Sequence, residues 1–209
     1  MYIQISDMSK EIKGVKVLDN INIRFEGGKI YGLQGKNGSG KTMLMRSICG
    51  LIIPTEGTID INGKILHKDI SFPQSIGALI ENPAFLSSYT GFQNLKLLSQ
   101  IQNRSGDVEI ESALRLVGLD PHDRRTYKKY SLGMKQKLGI ACAIMENPDI
   151  IILDEPINAL DEAGVNLIRN ILIQRKLMGA IIILVCHDKE ELELLSDEII
   201  KIESGRIVK

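Results

Sequence analysis

At 209 residues and 23.2 kDa, the chain is long enough for one medium domain with its own buried core, without disulfides or a structural metal. Lys plus Arg (26) equals Asp plus Glu (26), so no global basic field argues for a nucleic-acid partner. The three cysteines, Cys49, Cys142 and Cys186, sit far apart in apolar runs with no C-x-x-C pair, which reads as buried free thiols in a reducing compartment.

The start, Met1 to Asp7, alternates like a strand and lacks a signal peptide's basic and apolar regions. Ile21 to Phe25 alternates with period two, and Gly27-Gly28 turns the chain. The run Lys29-Ile30-Tyr31-Gly32-Leu33 reads as a further strand, with Gln34 after it. Then comes Gly35-Lys36-Asn37-Gly38-Ser39-Gly40-Lys41-Thr42, a complete G-x-x-x-x-G-K-[ST] phosphate-binding loop. It opens a helix-like run, Met43 to Cys49, that stops at Gly50. Strand, glycine loop and helix form the context this motif needs. The glycines let consecutive backbone N–H groups turn inward on phosphates, and the helix N-terminus adds a favourable field for an anion. In this reading Lys41 reaches the β- and γ-phosphates and the Thr42 hydroxyl ligates Mg²⁺. The expectation is a chain that binds a nucleoside triphosphate.

Thr58 to Ile61 meets the turn Asn62-Gly63, a hairpin signal, and Ser75 to Ile80 reads as another strand. From Phe92 to about Leu119 the pattern turns helical. Leu95, Leu98 and Ile101 share one face, and Ile110, Ala113, Leu114 and Val117 share another, with Gly118 as a stop. The break between them, Asn103 to Asp107, is a polar loop. Residues 82–130 thus read as a helical lobe inserted into a nucleotide-binding core. From Met134 helices and strands alternate: an apolar helix from Leu138 to Met145, a buried strand from Asp149 to Leu153, a helix from Glu162 to Leu177, and a buried strand from Ile181 to Val185. That alternation implies a parallel sheet covered by helices. The longest apolar run, Ala180 to Cys186, is too short to span a bilayer, so a cytosolic chain is expected and any membrane role comes through a partner.

The strand Ile150 to Leu153 delivers two carboxylates at its end, Asp154 and Glu155. Ligands of such sheets sit at the carboxyl edge, so Asp154 is placed to face the Mg²⁺ held by Thr42. Glu155 points differently and suits polarising a water for in-line attack. Upstream, Tyr130-Ser131-Leu132-Gly133-Met134-Lys135-Gln136-Lys137-Leu138 sets a Ser and a Gly at the start of an apolar helix, where Ser131 is a good N-cap.

With that segment, the chain resembles the ATP-binding subunit of an ABC transporter, whose signature Leu-Ser-Gly-Gly-Gln sits in this place. The match holds at Ser131 and Gly133 and departs at Tyr130, Leu132 and Met134. Asn158-Ala159-Leu160-Asp161 corresponds to the family's D-loop, and His187 to its switch histidine. The order and spacing of the motifs carry the resemblance, which covers essentially the whole chain. It implies an α/β fold: a phosphate-loop NTPase core of ABC type, with an N-terminal antiparallel β subdomain and an inserted α-helical lobe. Residues 1–209 form one ATPase domain, with the core from 1–81 and 131–209 and the lobe from 82–130. It implies a head-to-tail dimer, homo- or heteromeric, in which Ser131, Leu132, Gly133 and Met134 act on the neighbouring chain's ATP, beside Asp161. Lys41, Glu155 and His187 are the expected catalytic residues, with ATP and Mg²⁺ as ligands. The resemblance also implies separate transmembrane permease chains that hold the subunit at the cytoplasmic face of the membrane, with ATP hydrolysis powering export. The alternative is a soluble ABC-type ATPase not coupled to transport.

Three departures stand out. Glu81 holds the place of the family's usual Gln at the start of the lobe, where its oxygen can ligate Mg²⁺ but adds charge. Ile12 holds the slot of the adenine-stacking aromatic, so adenine is expected to meet an aliphatic surface. Met43 replaces a second hydroxyl and leaves only its backbone N–H for the α-phosphate. Ile80 to Phe85 and Tyr130 to Met134 look like the branch serving bacitracin, lantibiotics and related peptide antibiotics.

Overall fold

A computed structural model describes residues 1–102 and 104–208. Strands β1 (Tyr2–Ile12), β2 (Val15–Glu26), β4 (Glu56–Ile61) and β5 (Lys64–Ile65) form an antiparallel sheet in the order β2-β1-β4-β5. Strands β3 (Lys29–Gln34), β6 (Ile76–Leu79), β7 (Ile150–Asp154), β8 (Ile181–Val185), β9 (Glu198–Glu203) and β10 (Arg206–Val208) form a second sheet in the order β10-β9-β3-β8-β7-β6. All its neighbours run parallel except β10, which is antiparallel to β9. The described residues also form the α-helices α1 (Lys41–Ile48), α2 (Gly91–Gln102), α3 (Asp107–Leu116), α4 (Leu132–Ile144), α5 (Glu162–Leu177) and α6 (Lys189–Leu195), and a short 3-10 turn at Tyr127–Lys129.

The central strands explain the layering. β7 and β8 are almost all aliphatic because both of their faces are covered. The two-residue period of a strand then divides them between two cores. Ile151, Leu153, Ile182 and Leu184 pack against α2 to α6. Ile150, Ile152, Ile181 and Ile183 pack with Leu44, Met45 and Ile48 of α1 and with the inner face of the antiparallel sheet.

Two sequence expectations change. The first strand does not stop at Asp7: Asp7 takes a positive φ of 48° and the β1–β2 register shifts there. This bulge moves the buried positions from Ile3 and Ile5 to Met8, and the strand continues to Ile12. On α2, Leu95 is fully buried, but Leu98 and Ile101 are 37% and 77% exposed. The buried face instead carries Asn94 and Ser99. The Asn94 side chain accepts from the Leu86 N–H at 2.8 Å and donates to the Thr90 carbonyl at 2.9 Å, so its burial is compensated. The expected polar break survives as an irregular stretch at Arg104–Gly106, while Asn103 lies outside the described residues. Helix α4 starts at Leu132, well before the apolar run, because Ser131 caps it.

No helix among the described residues is long and apolar enough to cross a membrane. The three cysteines are free; Cys49 is buried, while Cys142 and Cys186 are only half-buried. Burial pushes the Cys49 thiol up to about 12 and the other two up to about 11.

Gly77 is the tightest point between sheet and helix. A Cβ there would overlap the backbone carbonyl oxygen of Ala143 on α4, which no rotamer change relieves. Gly77→Ala is therefore expected to destabilise the fold by about 1–3 kcal/mol or more. A urea midpoint equal to that of the wild type would show that α4 can shift away freely.

Candidate nucleotide site

Strand register assembles the site. Leu33 pairs with Val185, Asp154 with Val185, and Leu79 with Leu153, so β3, β6, β7 and β8 end along one edge. The residues just beyond those ends are the glycine loop, Glu81, Glu155 and His187. An open cavity of about 700 Å³ lies between them, with Lys41, Thr42, Glu81, Asp154, Glu155 and His187 in its wall. This is the carboxyl-edge crevice in which open α/β sheets bind ligands.

The loop that enters α1 leaves the helix start open. Gly40 has φ 111°, a left-handed conformation that side chains disfavour, and no side chain caps α1. By contrast, Ser131 caps α4, Asp161 caps α5 and Asp188 caps α6. The first N–H groups of α1 and its dipole are therefore left without a capping side chain among the described residues, at the wall of the cavity. Lys41 folds back on the loop, donating to the Gly35 and Lys36 carbonyls at 2.6 and 3.0 Å. Asn37, Gly38, Ser39 and Met43 also line the cavity, whereas Gly35 and Lys36 border a smaller one behind the loop.

Across from α1, Glu155 sits at φ 53°, an uncommon conformation for a residue with a side chain. The turn brings its carboxylate under His187. Glu155 Oε2 accepts the His187 backbone N–H at 3.0 Å, and Oε1 lies 3.5 Å from His187 Nε2. Burial raises both the Glu155 and the Asp154 carboxyl above the ordinary carboxylate range, opposed at Glu155 by the His187 N–H. Glu155 Oε1 and Ser39 Oγ are buried and have no hydrogen-bond partner among the described residues. Both are polar atoms that a bound ligand could satisfy.

Among the described residues no three His, Cys, Asp or Glu side chains gather into a metal cage. Thr42, Asp154 and Glu81 instead offer single oxygens around one cavity. This fits Mg²⁺, which keeps most of its ligands as phosphate and water.

Some expected site residues are elsewhere. Ile12 does not line the cavity: it ends β1, pairs with Val15 across the hairpin turn and is 42% exposed. Val17 does line it, and a Cβ on Gly40 would meet its carbonyl oxygen at 3.0 Å. The Glu81 carboxylate lines the cavity but is held by Arg46, with Nη2 at 2.7 Å from Oε1. Ser131, Gly133, Met134 and Asp161 line a separate groove of about 670 Å³, and Leu132 borders both spaces. Gln136 carried no assigned role, yet it lines the main cavity and its amide donates to the Glu155 carbonyl at 2.8 Å. Its position five residues after Ser131 on the same helix was the available signal.

The family model "ABC transporter" matches residues 18–158. An uncharacterized ABC transporter ATP-binding protein of Bacillus subtilis, YybJ, is 51% identical over 205 residues, covering 98% of this chain and 94% of that protein. The bacitracin transport ATP-binding protein BcrA of Enterococcus faecalis is 38% identical, covering 99% of this chain and 68% of that protein. The lantibiotic transport ATP-binding protein SrtF of Streptococcus pyogenes is 35% identical, covering 99% and 89%. A solved ATP-binding subunit of an ABC transporter superposes with TM-score 0.89 at 27% identity, over 99% of this chain and 88% of that one. The chain belongs to the ABC transporter family, as its ATP-binding and ATP-hydrolysing subunit.

Proposed function

We propose that the 700 Å³ cavity seats ATP with Mg²⁺, and that hydrolysis there drives export of peptide antibiotics through separate permease chains. The observation that carries this is the uncapped start of α1 facing the Asp154–Glu155–His187 edge across one cavity. Gly35 to Met43 supply N–H donors to the phosphates, and Lys41 turns from the loop carbonyls to the β- and γ-phosphates. Thr42 and Asp154 would hold Mg²⁺, with Glu81 reachable as a third oxygen; the ion supplies neutralisation of phosphate charge. Glu155 accepts a proton from the attacking water, and His187 orients water or γ-phosphate from the exposed side.

The second groove supports a composite site. Ser131, Gly133 and Met134 open the N-terminus of α4 beside Asp161 and away from the chain's own glycine loop. A second copy or a related subunit, docked head to tail, would bring that terminus to the ATP. The relatives named for bacitracin and lantibiotic transport support the cargo class and the cytoplasmic face of the membrane as the place of work. Co-purification with the native permease and assay in sealed vesicles tests this. Peptide antibiotics are expected to stimulate ATPase activity, and indifference to all of them would reject the cargo class.

The Val17 wall gives a second expected result. An aromatic ring there would stack on adenine, worth about 1–3 kcal/mol. Val17→Tyr should therefore tighten ATP binding in calorimetry, while Ile12→Tyr leaves it unchanged. The reverse pattern would put the base against the hairpin tip.

A further inference from the structure

Thr42 and Arg46 stand one turn apart on α1, an i,i+4 pair whose side chains share a face. The turn after β6 reaches that helix, and Glu81 is held there at φ 62° with its carboxylate 2.7 Å from Arg46 Nη2. The carboxylate is 60% exposed and the guanidinium 37%, so the pair is open to solvent and exchangeable. Asp154 and Glu155 line the same cavity and leave it rich in negative charge. Without Arg46, a third carboxylate would face incoming phosphates uncompensated.

We propose that Arg46 is a positioning residue that parks and neutralises Glu81 one helical turn from Thr42, and hands it over when a nucleotide-bound cation arrives. This rests on the nucleotide reading above. It explains how a glutamate is accommodated at the lobe's first turn: the guanidinium removes its charge until a divalent ion can take that role. The blander role of Arg46 is a basic residue in the last turn of α1, favourable to the helix dipole. That role involves no dependence on Glu81. An exposed pair contributes little to stability, so the variants should fold.

The test is ATP binding by full-length wild type, Arg46→Met, Glu81→Gln and the double variant, first in EDTA and then across a Mg²⁺ titration. In EDTA, Arg46→Met should weaken ATP about three- to fivefold in the wild-type background, and much less in the Glu81→Gln background. The Mg²⁺ concentration giving half the tightening should fall by a similar factor in Arg46→Met, since Glu81 is already released. Arg46→Lys, which keeps the charge, should restore most of the wild-type pattern. Equal losses in both backgrounds, or an unmoved Mg²⁺ midpoint, would overturn the role of Arg46 alone. Equal ATP binding by wild type and Lys41→Ala would overturn the nucleotide reading, and this inference with it.

Discussion

Replacing Glu155 with Gln is expected to leave ATP binding intact and to cut hydrolysis by about 10²–10⁴-fold, the usual worth of a general base. The substitution is close to isosteric. An amide oxygen can still accept the His187 N–H that now reaches Oε2 at 3.0 Å, so the turn at φ 53° has no reason to change. Asp154 and Thr42 are untouched, so the partners proposed for the cation and phosphates are unchanged. What disappears is the basic oxygen, buried and 3.5 Å from His187 Nε2. Burial also sets the pH response. The base works ionised, and its carboxyl lies above the ordinary value of 4.5. Activity should be retained above that raised pKa and lost as pH falls through it. Turnover like that of the wild type in Glu155→Gln would remove Glu155 from the chemistry.

The second large effect concerns the division of the site between two chains. Lys41→Ala strips the loop of its phosphate cation, and Ser131→Arg fills the start of α4 with bulk and charge. Each homodimer should lose about 10²-fold or more, the order expected when one preorganised donor to the transferring group is removed. An equal mixture should behave differently. Random pairing of two chains makes about half the dimers mixed, and each mixed dimer keeps one intact composite site. Recovery toward about a quarter of wild-type activity is expected if the sites work independently. No recovery would mean that both sites must fire together, and full activity of Ser131→Arg alone would detach α4 from the reaction.

The parts of the fold legible in the sequence are those governed by local patterning. β7 and β8 are continuous apolar runs, and helix α5 has a capping Asp161 before it and Gly179 after it, so its bounds could be read directly. The glycine loop is legible for the same reason: its strand, turn and helix are contiguous. Features set by distant partners are not legible. The bulge at Asp7 shifts the phase of β1, so neither the exposed place of Ile12 at the hairpin turn nor that of Val17 in the cavity wall is written in the local pattern. Leu98 and Ile101 fit a helical stripe, but the lobe buries Asn94, which satisfies polar groups of the preceding loop, and Ser99, whose hydroxyl donates to the Lys96 carbonyl of its own helix. The Arg46–Glu81 contact joins residues 35 positions apart, and only the folded turn after β6 brings them together.

The most direct measurement is sedimentation velocity of Glu155→Gln with and without Mg–ATP. With hydrolysis blocked, ATP should stay between the glycine loop of one chain and the Ser131 end of α4 on the other. The account predicts a monomer without nucleotide and a dimer with it, lost again when Lys41→Ala or Ser131→Arg is added. A monomer at saturating Mg–ATP, with binding confirmed by calorimetry, would contradict a site shared between two chains.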